Sequence, residues 1–153
     1  MATINATINV NSDIMSYPVT INKTMTMKKL QSCNGLDETT GLRTKKFTSS
    51  TAAVIVEHDE LTDDKAHKVY IRNASTDKST FFYVAYNASA AAQATAETIG
   101  KLYGGDWMLF PYNGNTNITV ASSTIESDTD VRSPGAQYLE YMVFADGVVE
   151  AAG

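Results

Sequence analysis

The sequence predicts an all-β fold, a β-sandwich or jelly roll of about eight short antiparallel strands with an extended N-terminal arm. Three observations support this prediction. Apolar residues alternate with Thr, Asn and Ser over short stretches, which is the two-residue period of a half-buried strand. Turn-forming residues interrupt these stretches at intervals of about 8 to 12 residues. Only one stretch, residues 88–98, is a helix candidate, and it lacks a wide apolar stripe.

The N-terminal strands alternate most clearly. Residues 2–10 place Ile, Ala, Ile and Val between Thr and Asn, and residues 17–27 continue this period after a turn. The dipeptide Asn34-Gly35 is a strong turn signal. Residues 37–46 are polar and contain a glycine, so we expect a loop or an extended arm there.

The middle of the chain contains three further predicted strands. Residues 54–56 form an unbroken apolar run, which is typical of a short buried strand. Residues 68–73 and 80–87 are rich in aromatic and β-branched residues, and the turn-prone residues 74–77 join them. A hairpin is the simplest interpretation of this pattern.

The last third of the chain completes the set of strands. Residues 99–111 run from a strand through two adjacent glycines into an aromatic-rich strand that ends at a proline. Residues 117–121 and 137–144 predict two more strands, and the polar residues 122–135 between them predict a loop.

The length of 153 residues suits one hydrophobic core. Nothing in the composition divides the chain into two independent domains. We expect residues 1–50 to form an N-terminal arm or strand-rich extension, and residues 51–153 to form the β-sandwich domain.

The formal net charge of −5 argues against nucleic acid or an anionic membrane as a partner. In addition, no apolar run reaches the length that crosses a bilayer. The charge is unevenly spread, because residues 23–46 carry six basic residues against two acidic ones, while residues 102–153 carry one against seven. Such polarity suits oriented docking between protein surfaces, and an ordinary solvated face is the alternative.

Side chains for polar catalysis are scarce, since the chain has two histidines and one cysteine. We therefore expect no enzyme activity, no catalytic residues, no cofactor and no metal. The acidic stretch at residues 57–60, with His67 nearby, has a spacing that matches no helical histidine pair. Asp128 and Asp130 resemble the start of a calcium loop, but the glycine and the final glutamate of such a loop are missing.

Surface aromatic and basic residues are the candidates for a protein interface. The three consecutive aromatic residues at 81–83 must send alternate rings to opposite faces of a strand, so at least one ring meets something other than the core. Exposed aromatic rings favour protein interfaces or stacked sugars. The candidate interface residues are Lys28, Lys29, Arg43, Lys45, Lys46, Trp107 and Tyr112.

Three segments carry a resemblance to a known family: residues 68–73 (KVYIRN), 99–111 (IGKLYGGDWMLFP) and 139–144 (LEYMVF). Taken together, they resemble small structural proteins of tailed bacteriophages, especially those of marine cyanobacterial phages. The likeness covers roughly residues 65–145, and the first 50 residues resemble such proteins only in composition. It implies a β-sandwich module of the virion, assembled in the host cytoplasm, with no catalytic residues to carry over.

The resemblance and the composition together predict a capsid decoration, or cement, protein. Such a protein would bind the outer face of a phage shell and stabilise it by contacts repeated over the lattice. We expect its partners to be the major capsid protein or other virion proteins, and further copies of itself in a homo-oligomer. The alternatives are a tail, neck or fibre-base component of the virion, and a carbohydrate- or receptor-binding module in which Trp107, Tyr112 or Tyr86 stacks on a sugar.

Overall fold

The computed structural model describes residues 3–13, 18–48, 50–87, 98–123 and 137–147. These residues form eleven β-strands and a single turn of 3-10 helix at His58–Glu60. In chain order the strands are β1 (Asn5–Ser12), β2 (Val19–Thr26), β3 (Glu38–Thr39), β4 (Arg43–Phe47), β5 (Ala53–Val56), β6 (His67–Asn73), β7 (Phe81–Tyr86), β8 (Thr98–Tyr103), β9 (Trp107–Tyr112), β10 (Ile118–Ser122) and β11 (Gln137–Ala145).

Strands β4 to β11 build two antiparallel sheets that face each other. One sheet has the order β5-β10-β7-β8. The other has the order β4-β11-β6-β9, and the short β3 pairs with the same edge of β11 as β4. From β4 onward, successive strands change sheet at every step except from β7 to β8, and the resulting order is that of a jelly roll. The all-β prediction is confirmed, and the strand order selects the jelly roll from its two alternatives.

The core lies between the two sheets, and strand alternation decides which residues fill it. Val69 and Ile71 of β6 point inward beside Leu139 of β11, and Phe82 of β7 meets them from the other sheet. All four side chains are fully buried. The rings of Phe47 and Phe82 meet edge to face, with 5.1 Å between their centroids. Burial of each such side chain stabilises the fold by roughly 1.5 to 3 kcal/mol.

The predicted hairpin of residues 68–73 and 80–87 is wrong. The first of its strands, β6, lies in one sheet and the second, β7, lies in the other. The buried side chain of Asn73 gives the physical reason. Its Nδ2 donates to the carbonyl of Leu102 in the opposite sheet at 3.0 Å, and its Oδ1 accepts the N–H of Ser75 at 2.9 Å. These bonds direct the chain across the sandwich rather than back along β6.

The arm predicted for residues 1–50 is shorter in the structure, because β3 and β4 belong to the jelly roll. Both pair with β11, and Phe47 at the end of β4 is buried in the core. The loop predicted at residues 37–46 is instead an edge strand interrupted near Gly41, whose φ is +74°. Polar side chains are common on edge strands, so the apolar alternation of a central strand is missing there. Of the described strands, only β1 and β2 stand apart from the two sheets.

Two predicted elements fall where the chain is not described. The helix candidate at residues 88–98 lies outside the described residues except for Thr98, which begins β8. The loop predicted at residues 122–135 lies outside them beyond residue 123, and so do Asp128 and Asp130. Within the described ranges, no helix is long and apolar enough to cross a membrane.

Candidate functional site

Strands β1 and β2 form an antiparallel ribbon with one apolar and one polar face. Their register places Asn and Thr opposite Asn and Thr on the polar face, where Thr7 bonds to Thr24 at 2.8 Å and Thr26 donates to Asn5 at 2.9 Å. The same register gathers the apolar side chains on the other face. The apolar residues of that face are Ala6, Ile8, Val10, Val19, Ile21 and Met25.

The apolar face of the ribbon is unusually open to solvent. Ile8, Val10, Ile21 and Met25 are between 39% and 45% exposed. A two-stranded ribbon that packs against nothing is only marginally stable in water, because it buries little apolar surface. The ribbon therefore presents an apolar surface that gains stability when another surface covers it.

A second apolar surface lies opposite the base of the ribbon, on the outer face of the β4-β11-β6-β9 sheet. Tyr70, Trp107, Leu109 and Phe144 point outward there, because their neighbours along each strand fill the core. Trp107 is 54% exposed. Between these four residues and the ribbon lies a groove of about 490 Å³, which we call the ribbon groove. The ribbon contributes Asn5, Ala6, Thr7, Ile8, Lys23 and Met25, and Met27, the residue directly after β2, completes the lining.

The segment that follows the ribbon is anchored firmly to the jelly roll. Met27 and Leu36 are buried, and the N–H of Leu36 donates to the carbonyl of Met27 at 3.0 Å. The N–H of Leu30 donates to Oδ2 of Asp146 at 2.6 Å. That same oxygen accepts the N–H of Ala66 at 3.2 Å. One buried carboxylate therefore joins the base of the ribbon to the start of β6.

His67 is part of the same network and has a structural role. It is fully buried, and its Nδ1 accepts the N–H of Asp146 at 3.0 Å. Its Nε2 lies 2.8 Å from the carbonyl of Thr62, to which it donates. Both ring nitrogens are thus occupied, as a neutral imidazole requires. Within the described part of the chain, no three His, Cys, Asp or Glu side chains are placed to hold a metal ion.

Most of the predicted basic residues bind partners within the chain. Lys29 forms an ion pair with Asp37 at 2.6 Å, and this hydrogen bond raises the pKa of Lys29 and lowers that of Asp37. On β4, Arg43 pairs with Glu60 at 3.3 Å. Lys45 donates to the carbonyl of Val54 at 3.1 Å. Arg43 and Lys45 therefore tie β4 to the segment that begins with β5, at one edge of the sandwich.

Lys28 and Lys46 are exposed, and they lie on separate parts of the chain. Lys28 pairs with Gly35 in an isolated β-bridge just beyond the ribbon. Lys46 lies on β4 opposite Tyr138 of β11. Both side chains are open to solvent, and neither forms an ion pair with another described residue.

The two predicted aromatic residues have different environments. Trp107 lies in the ribbon groove. Tyr112 is only 4% exposed, so its assignment to an interface is corrected: its ring stacks on that of Tyr86, and its hydroxyl donates to the carbonyl of Thr116. The reason is strand parity. Positions 107 and 112 of one strand are an odd number of residues apart, so their side chains point to opposite faces.

Apart from Trp107, the sequence does not identify the apolar residues of the ribbon and of the outer sheet face as interface candidates. The alternation of residues 2–10 and 17–27 indicates only a half-buried strand. Tertiary packing decides whether the apolar face of a strand is covered, and the alternation of apolar and polar residues does not predict that packing. The same limit applies to Tyr70 and Phe144, whose outward direction follows only from the strand order.

Burial of Tyr112 leads to a prediction on alkaline stability. Burial raises its pKa from 10.0 to about 12. The unfolded chain therefore loses this proton first, so the contribution of Tyr112 is complete below pH 10 and is lost as the pH rises towards 12. We expect the free energy of unfolding to fall across this window, and Tyr112→Phe to remove part of that fall.

The measurement is urea denaturation of both proteins from pH 8 to pH 11. At pH 8, Tyr112→Phe should cost about 1 kcal/mol, because the bond to the Thr116 carbonyl is lost. Tyr86→Phe is the control for the more exposed partner ring, whose pKa burial also raises. An unchanged alkaline slope in Tyr112→Phe would contradict the assignment.

Comparison of the chain with protein-family models, with curated protein sequences and with solved structures finds no match. The resemblance to structural proteins of tailed bacteriophages therefore stays a prediction.

Proposed function

We propose that this chain is a non-enzymatic structural protein of a phage virion, namely a capsid decoration protein that binds the outer shell and stabilises it. The observation that carries the proposal is the ribbon groove together with the open apolar face of the ribbon. Residues of both apolar surfaces line this groove, and Trp107 is the most exposed large ring among the described residues. Large aromatic side chains at the centre of a contact contribute most to protein binding.

The mechanism is association without chemistry. A segment of the major capsid protein would enter the ribbon groove and contact Trp107, Leu109 and the apolar face of the ribbon. Among the described strands, β1 and β2 pair only with each other, so an extended segment can add to an outer edge of the ribbon as a further strand. Each copy would bury a modest area, and repetition over the lattice would convert many weak contacts into mechanical stability.

The jelly roll supports the proposal as a rigid base for the ribbon. Jelly rolls are frequent in viral capsid proteins and lectins, so the fold fits a virion component without specifying one. The bonds of Asp146 to Leu30 and Ala66 hold the base of the ribbon at a fixed place on this scaffold. A fixed ribbon loses less conformational entropy on binding than a mobile one.

The test is a binding assay with phage shells assembled without this protein. Wild-type protein should bind these shells and increase their resistance to heat. Trp107→Ala should weaken binding by about 2 kcal/mol, roughly 30-fold, since it removes the largest apolar contact of the groove. The matched control is Tyr103→Ala, which removes an exposed ring from the other sheet and should leave binding unchanged.

The number of copies per particle separates this proposal from the alternative virion locations. Hundreds of copies are expected for a shell protein, whereas a tail or neck component would be present in far fewer. Failure of the wild-type protein to bind shells, or equal binding by Trp107→Ala, would overturn the proposal.

A further inference from the structure

A second cavity, of about 530 Å³, lies at one end of the jelly roll and plays no part in the proposed capsid contact. We call it the end pocket. It lies where the start of β6 meets the end of β7 and the turn from β9 to β10. Its lining comprises Leu30, Lys65, Ala66, His67, Lys68, Tyr86, Pro111, Tyr112, Asn113 and Thr116. It thus combines aromatic residues with a few polar groups, two of them cationic, and such polar groups fix the orientation of a small ligand in a concave site.

Lys68 provides a positioned positive charge in the end pocket. Its ammonium donates to the carbonyls of Ala66 at 3.0 Å and of His67 at 3.2 Å. An ammonium has three N–H donors. The described residues accept two of them, so the third remains for a ligand. Burial lowers the pKa of Lys68, which means that its charge is incompletely solvated. A ligand carboxylate would satisfy the third donor and offset the lost hydration.

The nearby acidic residue does not compete for this site. Asp146 attracts Lys68 electrostatically, but its Oδ2 is occupied by the N–H groups of Leu30 and Ala66. Asp146 is buried and is absent from the pocket lining. Lys65 lines the pocket together with Lys68, and the other ionisable residues of the lining are His67, whose two ring nitrogens are already hydrogen-bonded, and the two tyrosines; no acidic residue lines the pocket.

Tyr86 provides an aromatic surface next to these lysines. Tyr86 is 37% exposed, and its ring lies nearly parallel to that of Tyr112, at 12° and with 6.5 Å between centroids. Tyr112 is fixed in turn by its bond to the carbonyl of Thr116. Pro111 adds a second rigid apolar ring to the lining. Such rings pack against the C–H face of a pyranose, and they lose little entropy because they are already held in place.

We propose that the end pocket binds a carboxylated sugar, with the carboxylate at Lys68 and Lys65 and the pyranose ring against Tyr86. Asn113 also lines the pocket; its Oδ1 accepts the N–H of Asn115 at 3.2 Å, and its Nδ2 would donate to sugar hydroxyls. This activity goes beyond the shell contact, since it uses different residues and would give the assembled particle affinity for acidic saccharides. Each copy would bind weakly, and the many copies on a particle would add avidity.

The experiment is an NMR titration of the whole protein with three probes: D-glucuronate, D-glucose and acetate. Glucuronate should bind with a Kd in the millimolar range and shift the amide signals of residues lining the end pocket. Glucose and acetate should each bind at least tenfold more weakly, because each supplies only one of the two recognised groups. Equal binding of acetate would indicate a simple anion site, and equal binding of glucose a site that ignores charge; either result overturns the proposal.

Variants locate the site. Lys68→Met and Tyr86→Ala should each weaken glucuronate binding at least tenfold, and Lys65→Met provides a further test if Lys68→Met does not fold. The control is Lys101→Met, which removes an ammonium that lies 5.1 Å from the ring centres of Phe81 and Tyr83 in the other sheet. Trp107→Ala should leave glucuronate binding intact, so the failure of this proposal is distinguishable from failure of the capsid proposal. The proposal would be overturned if folded Lys68→Met bound glucuronate as tightly as the wild type. If Lys68→Met does not fold, the same result for folded Lys65→Met would overturn it.

Discussion

Gly104→Ala is expected to lower the free energy of unfolding by about 3 kcal/mol or more. Gly104 forms the bend between β8 and β9, and it lies directly against the loop after β6. A Cβ added there would come within 2.7 Å of the carbonyl carbon of Asp77 and closer still to its oxygen, and within 3.0 Å of the carbonyl oxygen of Ser75. All of these atoms belong to the backbone, so no side-chain rotation relieves the clash.

The neighbouring glycines supply matched controls for this variant. Gly100 lies on β8, and an added Cβ would meet nothing within 4 Å, so Gly100→Ala should change stability little. Gly105 has equally open surroundings but a φ of +90°, so Gly105→Ala should cost about 1 to 2 kcal/mol from backbone strain alone. Chemical denaturation of the three variants measures these costs. If Gly104→Ala were no less stable than Gly105→Ala, the close contact with Asp77 would be disproved.

Asp146→Ala is expected to be the second severe change, at about 3 to 5 kcal/mol. The carboxylate accepts the N–H groups of Leu30 and Ala66, and hydrogen bonds to a charged group are stronger than neutral ones. Removing it leaves two donors without their acceptor and opens a space beside His67. It also removes the bond to Leu30 that fixes the base of the ribbon. The ribbon should therefore become less ordered, and the whole fold less stable.

Two measurements test this prediction. Denaturation reports the global cost, and hydrogen exchange at the Leu30 and Ala66 amides reports the loss of these two bonds. Asp146→Asn retains an acceptor oxygen without the charge and should show an intermediate effect. Asp106→Ala is the control, because the exposed Asp106 accepts one N–H, that of Tyr103 at 3.0 Å, and its loss should cost about 1 kcal/mol. Unchanged exchange at Leu30 in folded Asp146→Ala would contradict the role given to this carboxylate.

Much of the fold followed from alternation in the sequence. Val69 and Ile71 are two residues apart, and Leu139 and Val143 are four apart; an even spacing puts both members of a pair on one face of the strand, and all four residues lie in the core. The order of the strands in the sheets could not be predicted from the sequence. Turn residues indicate where the chain bends, but not which strand the next strand pairs with. Before the turn at residues 74–77, the deciding bond is that of Asn73 to Leu102, which lies on a strand distant in sequence. The edge strand β4 was missed because an edge needs no apolar pattern.

The candidate site was predicted less completely than the fold. Trp107 was identified by its chemistry, and its exposure in the ribbon groove agrees with that choice. The assignment of Tyr112 to an interface was wrong. The odd spacing between Trp107 and Tyr112 already indicates that their side chains point to opposite faces of the strand. The intrachain bonds of Arg43 and Lys45 depend on how β4 meets the other sheet, so a count of basic residues overestimates the charge available to a partner.

The ribbon has a further consequence for assembly. Its two strands, Asn5–Ser12 and Val19–Thr26, contain a single charged side chain, Lys23. Dissolved ions screen attraction between charges but leave contact between uncharged surfaces largely intact. Attachment through this ribbon would therefore tolerate wide changes in ionic strength, from dilute buffer to brine, without loosening.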